Sequence, residues 1–176
     1  MKKIIVIGCP GSGKSTFSRM LRDKTGIPLY HLDMLYWNAD RTIAERAVFH
    51  QRLAEILRTD AWIIDGNYSA TMQLRMQACD TVFFLDYPAD ICLQGIAERR
   101  GKQRSDLPWT ETGNEDDPAF IEFVKRFPEQ SRPQITGLLD RYADKRRYIF
   151  KSRSEADAFI EHLAGLTNQL HGKTEE

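Results

Sequence analysis

The fold class predicted for this chain is a doubly wound α/β structure, a five-stranded parallel sheet flanked by helices. Three observations carry that prediction. Five short apolar, β-branched or aromatic segments recur along 176 residues, stretches of helical periodicity separate them, and Gly or Asp follows four of the five at the carboxyl end. Runs as continuous as KIIVI, residues 3–7, suit strands covered on both faces better than strands with one wet face.

The elements follow in order. KIIVI is the first strand, and GCPGSGKST, residues 8–16, leads from it into a helix. PLYHLD, around residue 30, reads as the second strand. Thr42 with Glu45 makes a capping box for a helix running to about Arg58, with Phe49, Leu53, Ile56 and Leu57 on one face. WIIDG at 62–66 and TVFFLD at 81–86 are the third and fourth strands, and Pro88 suits the first turn of the helix that follows. GKQRSDLPWTETGNEDD, residues 101–117, is polar and turn-rich and reads as an inserted lid; helical periodicity then resumes toward Tyr142, and RYIFK at 147–151 is the fifth strand. Residues 1–176 therefore read as a single domain with a small lid insertion at about 101–117. In such sheets a ligand sits at the carboxyl ends of the strands, which is where Gly8, Asp33, Asp65 and Asp86 fall.

Composition narrows the partners. Lys plus Arg equals Asp plus Glu, 25 each, so no surplus of positive charge exists to neutralise a nucleic acid backbone or an anionic membrane. Direct nucleic acid binding and membrane association are not expected. The three cysteines, Cys9, Cys79 and Cys92, lack metal-ligand spacing and read as buried, reduced thiols. Ile4 to Ile7 is far shorter than a signal-peptide core and no later run spans a bilayer, so the expected location is the cytoplasm, as monomer or homodimer.

The sequence Gly8-Cys-Pro-Gly-Ser-Gly13-Lys14-Ser15 satisfies the P-loop, or Walker A, pattern. Its glycines let backbone N–H groups converge on phosphate oxygens at a helix N-terminus. Gly8, Pro10, Gly11, Ser12, Gly13, Lys14, Ser15 and Thr16 are thus the expected nucleotide cradle, with Lys14 bridging the terminal phosphates and the Ser15 hydroxyl taking Mg²⁺. No Asn-Lys-x-Asp guanine-reading sequence occurs, which weighs against a GTPase, and a single domain weighs against a motor or transporter ATPase. ATP with Mg²⁺ is the expected cofactor pair, on a P-loop NTPase fold.

The P-loop, HLDMLYW at 31–37, WIIDGNYS at 62–69, TVFFLDYP at 81–88, AERRGKQR at 97–104 and EDDPAFIEFVKRF before RPQI together resemble the adenylate kinase group of small P-loop kinases. Within that group the chain most resembles the adenylate-kinase-related bacterial DNA topology modulation (FlaR-like) proteins. The resemblance implies a phosphotransferase, and for Asp65 a place beside the hydration shell of Mg²⁺. Adenylate kinases carry arginines that hold the acceptor monophosphate; Tyr36 and Ser69 stand in those places here. A hydroxyl does not replace a guanidinium. Either Arg41, Arg46, Arg52 or Arg75 supplies the missing charge, or the acceptor is a different hydroxyl compound oriented or deprotonated by Asp33.

The resemblance further places Arg99, Arg100 and Arg104 at the lid, with Arg99 or Arg100 on the ATP phosphates, and gives Arg126 of Lys125-Arg126-Phe127 a secondary phosphate role. Positive charge and exclusion of water are what phosphoryl transfer needs there. Arg153, between Ser152 and Ser154, is expected to stack on adenine. Simpler structural roles stand beside these: a helix cap for Asp33, a turn cap for Asp65 with Gly66, a hydrogen-bonding role for His31, packing for Trp37 and Trp109, core for Trp62, and helix capping for Asp86. The functional expectation is an ATP-dependent phosphotransferase acting on a nucleotide or other small-molecule acceptor. The alternative is an ATP-binding regulator of DNA topology without kinase activity, and a third possibility is a slow ATPase.

Overall fold

The computed structural model describes residues 1–102, 106–108 and 117–171, with side chains to 163. Its elements are β1 (Lys3–Gly8), α1 (Lys14–Thr25), β2 (Leu29–His31), α2 (Leu32–Tyr36), α3 (Arg46–Arg58), β3 (Trp62–Asp65), α4 (Ser69–Ala78), β4 (Thr81–Leu85), α5 (Ala89–Arg99), α6 (Pro118–Gln130), α7 (Arg132–Arg141), β5 (Arg146–Phe150) and α8 (Arg153–His171). All five predicted strands form, and they pair in the order β2-β3-β1-β4-β5 with every pairing parallel.

β1 is central because it is wholly apolar from Ile4 to Ile7, each fully buried. Its neighbours are set in register so that Val6 faces Asp65 of β3 and Gly8 faces Leu85 of β4. The strand ends therefore align, and the loop after β1 opens beside the acidic end of β3. Phe83, Tyr148 and Phe150 share one face of β4 and β5 and meet Phe17 of α1 and Phe159 of α8 at centroid distances of 4.8 to 5.8 Å. Val82 and Phe84 point the other way and are equally buried, so helices cover both sides of the sheet. Each such side chain contributes roughly 1.5–3 kcal/mol by leaving water. Trp62 is core, as expected, at 0 % exposure.

Helix boundaries follow from their caps. Gly26 ends α1 in the left-handed conformation, φ 69°, with its amide on the carbonyl of Arg22. Asp117 starts α6 by accepting from the amide of Ala119 at 2.9 Å, with Pro118 following it in the first turn.

Two capping expectations are corrected. The Thr42–Glu45 capping box does not form: α3 starts after Glu45 without a side-chain cap. Thr42 is taken up instead by Asp40 Oδ1, which accepts from its amide at 3.0 Å and its hydroxyl at 2.6 Å. That local turn, with Trp37 bridged to Ile43, holds the segment in a tight antiparallel bend before the helix begins. Phe49, Leu53 and Ile56 still form the buried face of α3. Asp86 does not cap α5 either; Arg132 and Lys151, both remote in sequence, claim its carboxylate. Most of the expected lid, with Arg104 and Trp109, lies outside the described residues. Among the described residues no helix is long and apolar enough to cross a membrane.

Candidate functional site

A cavity of about 1050 Å³ opens at the carboxyl ends of the strands. The loop from Pro10 to Thr16 lines it, together with Asp33, Trp37, Asp65, Asn67 and Tyr68 from one side and Arg99, Lys102, Asp106, Phe120 and Arg153 from the other. Of these groups, the P-loop residues, Asp33, Asp65, Arg99 and Arg153 are expected at the site from the sequence, and the sheet register brings them to one cavity.

The loop is wrapped tightly enough to demand glycine. Gly11 has φ 82°, and a Cβ there would stand 2.1 Å from the carbonyl oxygen of Cys92 on α5. The contact is mutual, since a Cβ on Gly95 of α5 would stand 2.2 Å from the carbonyl oxygen of Gly11. Backbone therefore rests on backbone, and the loop is seated against α5 with no side chain between. Lys14 Nζ donates to the carbonyls of Gly8 at 3.0 Å and Cys9 at 3.1 Å, folding back across the loop it belongs to. Burial lowers the pKa of its ammonium, opposed first by the charge of Asp65. The hydroxyl of Ser12 is buried without a partner, an unfilled polar position inside the cradle.

Asp65 ends β3 with its carboxylate 6 % exposed. Oδ1 lies 2.9 Å from His31 Nδ1, whereas Oδ2 is buried without a partner. The hydrogen-bonding role expected of His31 is the one it has. Asp65 and Ser15 both line the cavity, and an unpartnered carboxylate oxygen together with a hydroxyl fits a hard cation held partly by nucleotide phosphates. Among the described residues no group of three or more His, Cys, Asp or Glu side chains gathers into a protein-only cage. Ser15 Oγ itself donates to Asp106 Oδ2 at 2.7 Å.

Asp33, in the first turn of α2, does not cap that helix; His31 occupies the cap position and makes no side-chain bond there. Instead Asp33 Oδ1 accepts from the hydroxyl of Tyr68 at 2.6 Å. Burial raises the Tyr68 phenol, and the charge of Asp33 raises it further, so Tyr68 stays a donor. Tyr68 adopts φ 37°, a left-handed conformation uncommon for a bulky residue and worth about 1–3 kcal/mol of strain. Arg75 supports it from beneath. Its guanidinium, fully buried on α4, donates to the carbonyls of Gly66 at 2.8 Å, Tyr68 at 3.2 Å and Asn67. Burial pushes its pKa down to about 9. Tyr36 and Phe49 pack on the Tyr68 ring at 4.7 and 5.7 Å.

Arg75 is thus spent on holding a turn, and Arg52 donates to the carbonyl of Leu35. Neither these two nor Arg41 and Arg46 line the cavity. Its described cations, Lys14, Arg19, Arg99, Lys102 and Arg153, all come from α1, α5, α8 or the segment after α5. Arg99 lies over the Phe120 ring, 5.8 Å from its centroid, and Arg153 pairs with Glu98 at 3.1 Å. Arg100 is exposed and not in the lining, and Arg126 is paired with Glu122 at 2.6 Å with its side chain 58 % exposed, away from the cavity. A one-turn spacing to an acid sufficed to hold it on its own helix.

Gly95 and Asp106 belong to no motif in the sequence, and Asn67 and Tyr68 stand within WIIDGNYS without any role read for them there. Gly95 alone left a signal, as an isolated glycine in a helical pattern, where it costs about 1 kcal/mol against Ala without a packing reason.

No protein-family model and no curated protein matches the chain. Two solved structures are similar in backbone. The shikimate kinase from Acinetobacter baumannii, solved in complex with shikimate, is 15 % identical with a TM-score of 0.60, the alignment covering 99 % of this chain and 96 % of that one. The shikimate kinase from Bacteroides thetaiotaomicron is 16 % identical with a TM-score of 0.53, covering 94 % of this chain and 97 % of that one. With its five parallel strands, flanking helices and glycine-built loop after β1, the chain has the P-loop NTPase fold that these kinases share.

Proposed function

We propose that the protein is an ATP-dependent phosphotransferase that transfers a phosphoryl group to a hydroxyl of a small molecule. The observation that carries this reading is the joining, in one cavity, of the loop bearing Lys14 with the Asp33–Tyr68 pair. A nucleotide-only switch has no need of the second half.

The loop amides grip the phosphates, and Lys14 exchanges its hold on the Gly8 and Cys9 carbonyls for a hold on phosphate oxygen. Arg99 and Lys102 add positive charge around the transferring group, and Arg153 borders the same end of the cavity. Ser15 and Asp65 would hold Mg²⁺, which when bound neutralises phosphate charge. Asp33, fixed by the Tyr68 hydroxyl, accepts a hydrogen bond from the acceptor hydroxyl and orients its oxygen for in-line attack. Trp37 and Tyr68 on one side and Phe120 on the other give the cavity apolar walls that limit water around the transferring group once substrates fill it.

The acceptor follows from charge. None of the cavity residues from β2, α2 or the β3–α4 turn is cationic. Among the described residues a monophosphate has no guanidinium to meet on that side, which favours an acceptor uncharged at that end over a nucleoside monophosphate. The kinship with adenylate-kinase-related topology modulation proteins belongs to this proposal, resting on the quoted motifs.

The test is a screen of nucleosides, nucleoside monophosphates and hydroxylated metabolites for acceptor-dependent ADP release, with Lys14→Ala as control. Acceptor-dependent release that the Lys14→Ala variant abolishes is expected. ADP formed at one rate whatever is added would make the protein an ATPase, and wild-type turnover by the variant would remove Lys14 from the mechanism.

A further inference from the structure

Asp106 stands outside every motif that the sequence presents. The residue is 7 % exposed and lines the same cavity as Asp65, and its Oδ2 accepts a hydrogen bond from the Ser15 hydroxyl at 2.7 Å. A hydroxyl has one proton and two lone pairs. Donation to Asp106 therefore settles which way the Ser15 proton points and leaves both lone pairs for another partner. That is the orientation a cation needs from a hydroxyl ligand, and a carboxylate that enforces it raises the ligand's electron density.

A second observation points to the same ligand. Asp65 lines the cavity, and its Oδ2 is buried and unpartnered while its twin is held by His31, so one oxygen of that carboxylate is unsatisfied by protein. Ser15 Oγ, Asp106 and Asp65 Oδ2 are all hard oxygen donors, the kind Mg²⁺ and Mn²⁺ select over nitrogen and sulfur. Two carboxylates and a hydroxyl fall short of an octahedron. Because no group of three or more His, Cys, Asp or Glu side chains among the described residues could hold a metal by itself, the remaining positions fall to water and nucleotide phosphate.

We propose that Asp106 is a cation-site residue of this chain, its carboxylate orienting Ser15 and adding its charge to the shell of a divalent cation that binds together with the nucleotide. The proposal rests on the nucleotide reading of the loop. It has two consequences: the cation binds weakly without nucleotide, and Asp106 matters to the cation more than to the nucleotide.

The experiment measures binding rather than turnover, on the full chain. ADP affinity is determined in EDTA, and Mn²⁺ affinity by electron paramagnetic resonance with and without saturating ADP, for wild type, Asp106→Asn and Asp106→Ser, each checked for folding by circular dichroism. Metal-free ADP affinity is expected to change little in the variants, while Mn²⁺ affinity of the ADP complex falls about 10- to 100-fold. Wild-type Mn²⁺ affinity in a folded variant overturns the proposal, as does a loss matched by an equal loss of metal-free ADP affinity. Should neither variant fold, wild type alone still decides: Mn²⁺ bound equally well with and without ADP means a protein-only site and sinks the assignment. Failure of wild type to bind ADP at all defeats the nucleotide reading and this proposal with it, and shows before any metal is added.

Discussion

Replacing Gly95 by alanine tests whether the phosphate loop is positioned by α5. The added methyl would stand 2.2 Å from the Gly11 carbonyl oxygen and 2.8 Å from Arg153 Nη2. Carbon–oxygen contacts ordinarily start at about 3.3 Å, so loop and helix must part by about 1 Å, whereas the arginine tip can swing away. Two effects of opposite sign then compete in stability. Alanine in a helix interior gains about 1 kcal/mol over glycine, and forcing packed elements apart costs about 1–3 kcal/mol. The net expectation is a loss of about 0–2 kcal/mol, small enough that the variant folds. Nucleotide binding has no compensating gain, because an error of about 1 Å in positioned groups is worth up to about 100-fold. We expect ADP affinity, read by displacement of a fluorescent analogue, to fall at least about tenfold, or about 1.4 kcal/mol, alongside a near-neutral urea unfolding curve. A variant stabilised by about 1 kcal/mol that binds ADP like wild type would refute the reasoning, since only a slack contact yields the full helix gain at no cost to the loop.

Arg75→Met should lower stability in urea by about 2 kcal/mol, because the partly buried carbonyls of Gly66, Asn67 and Tyr68 lose their donor at about 1 kcal/mol each; a loss under about 0.5 kcal/mol would mean the turn holds itself. For Asp86, burial alone would raise the carboxyl pKa, but hydrogen bonds and charges from Arg132 and Lys151 outweigh it and leave it below the usual carboxylate value. A depressed pKa contributes stability above the unfolded value of about 4 that is lost as pH falls through the folded one. Asp86→Asn should therefore lose less stability than wild type between pH 7 and pH 3, by about 1 kcal/mol given that the Arg132 and Lys151 side chains are 41 % and 58 % exposed and screened. Equal losses in the two proteins would remove the triad from the acid response.

The strands were legible because their apolar runs have no competing period, and the loop because its glycines and Lys14 answer to a local geometric need. Asp33 and Asp65 were legible through their position at strand ends. What remained hidden is non-local. Ser15 meets Asp106 across 91 positions and Asp86 meets Arg132 across 46, and no neighbour in sequence announces either pairing. Thr42 shows the reverse error, a good local signal overridden by a better local partner at Asp40. Arg75 sits one turn from Met72 and next to Met76 on a face that buries all three, and its charge concealed that burial. Arg126 carried a family expectation that its pairing with Glu122 on α6 does not serve.

Asn67 exchanges two bonds with Gly8, its Oδ1 accepting from that residue's amide at 3.1 Å and its Nδ2 donating to that residue's carbonyl at 2.8 Å. The side chain imitates a strand neighbour just where the sheet stops, and so rivets the turn leading to Tyr68 onto the root of the phosphate loop. One hydrogen-bonded piece then joins the phosphate loop to the cavity wall that carries Tyr68. Under the proposed function, linkage across this piece is reciprocal: whatever factor the nucleotide lends to the acceptor's affinity, the acceptor returns to the nucleotide.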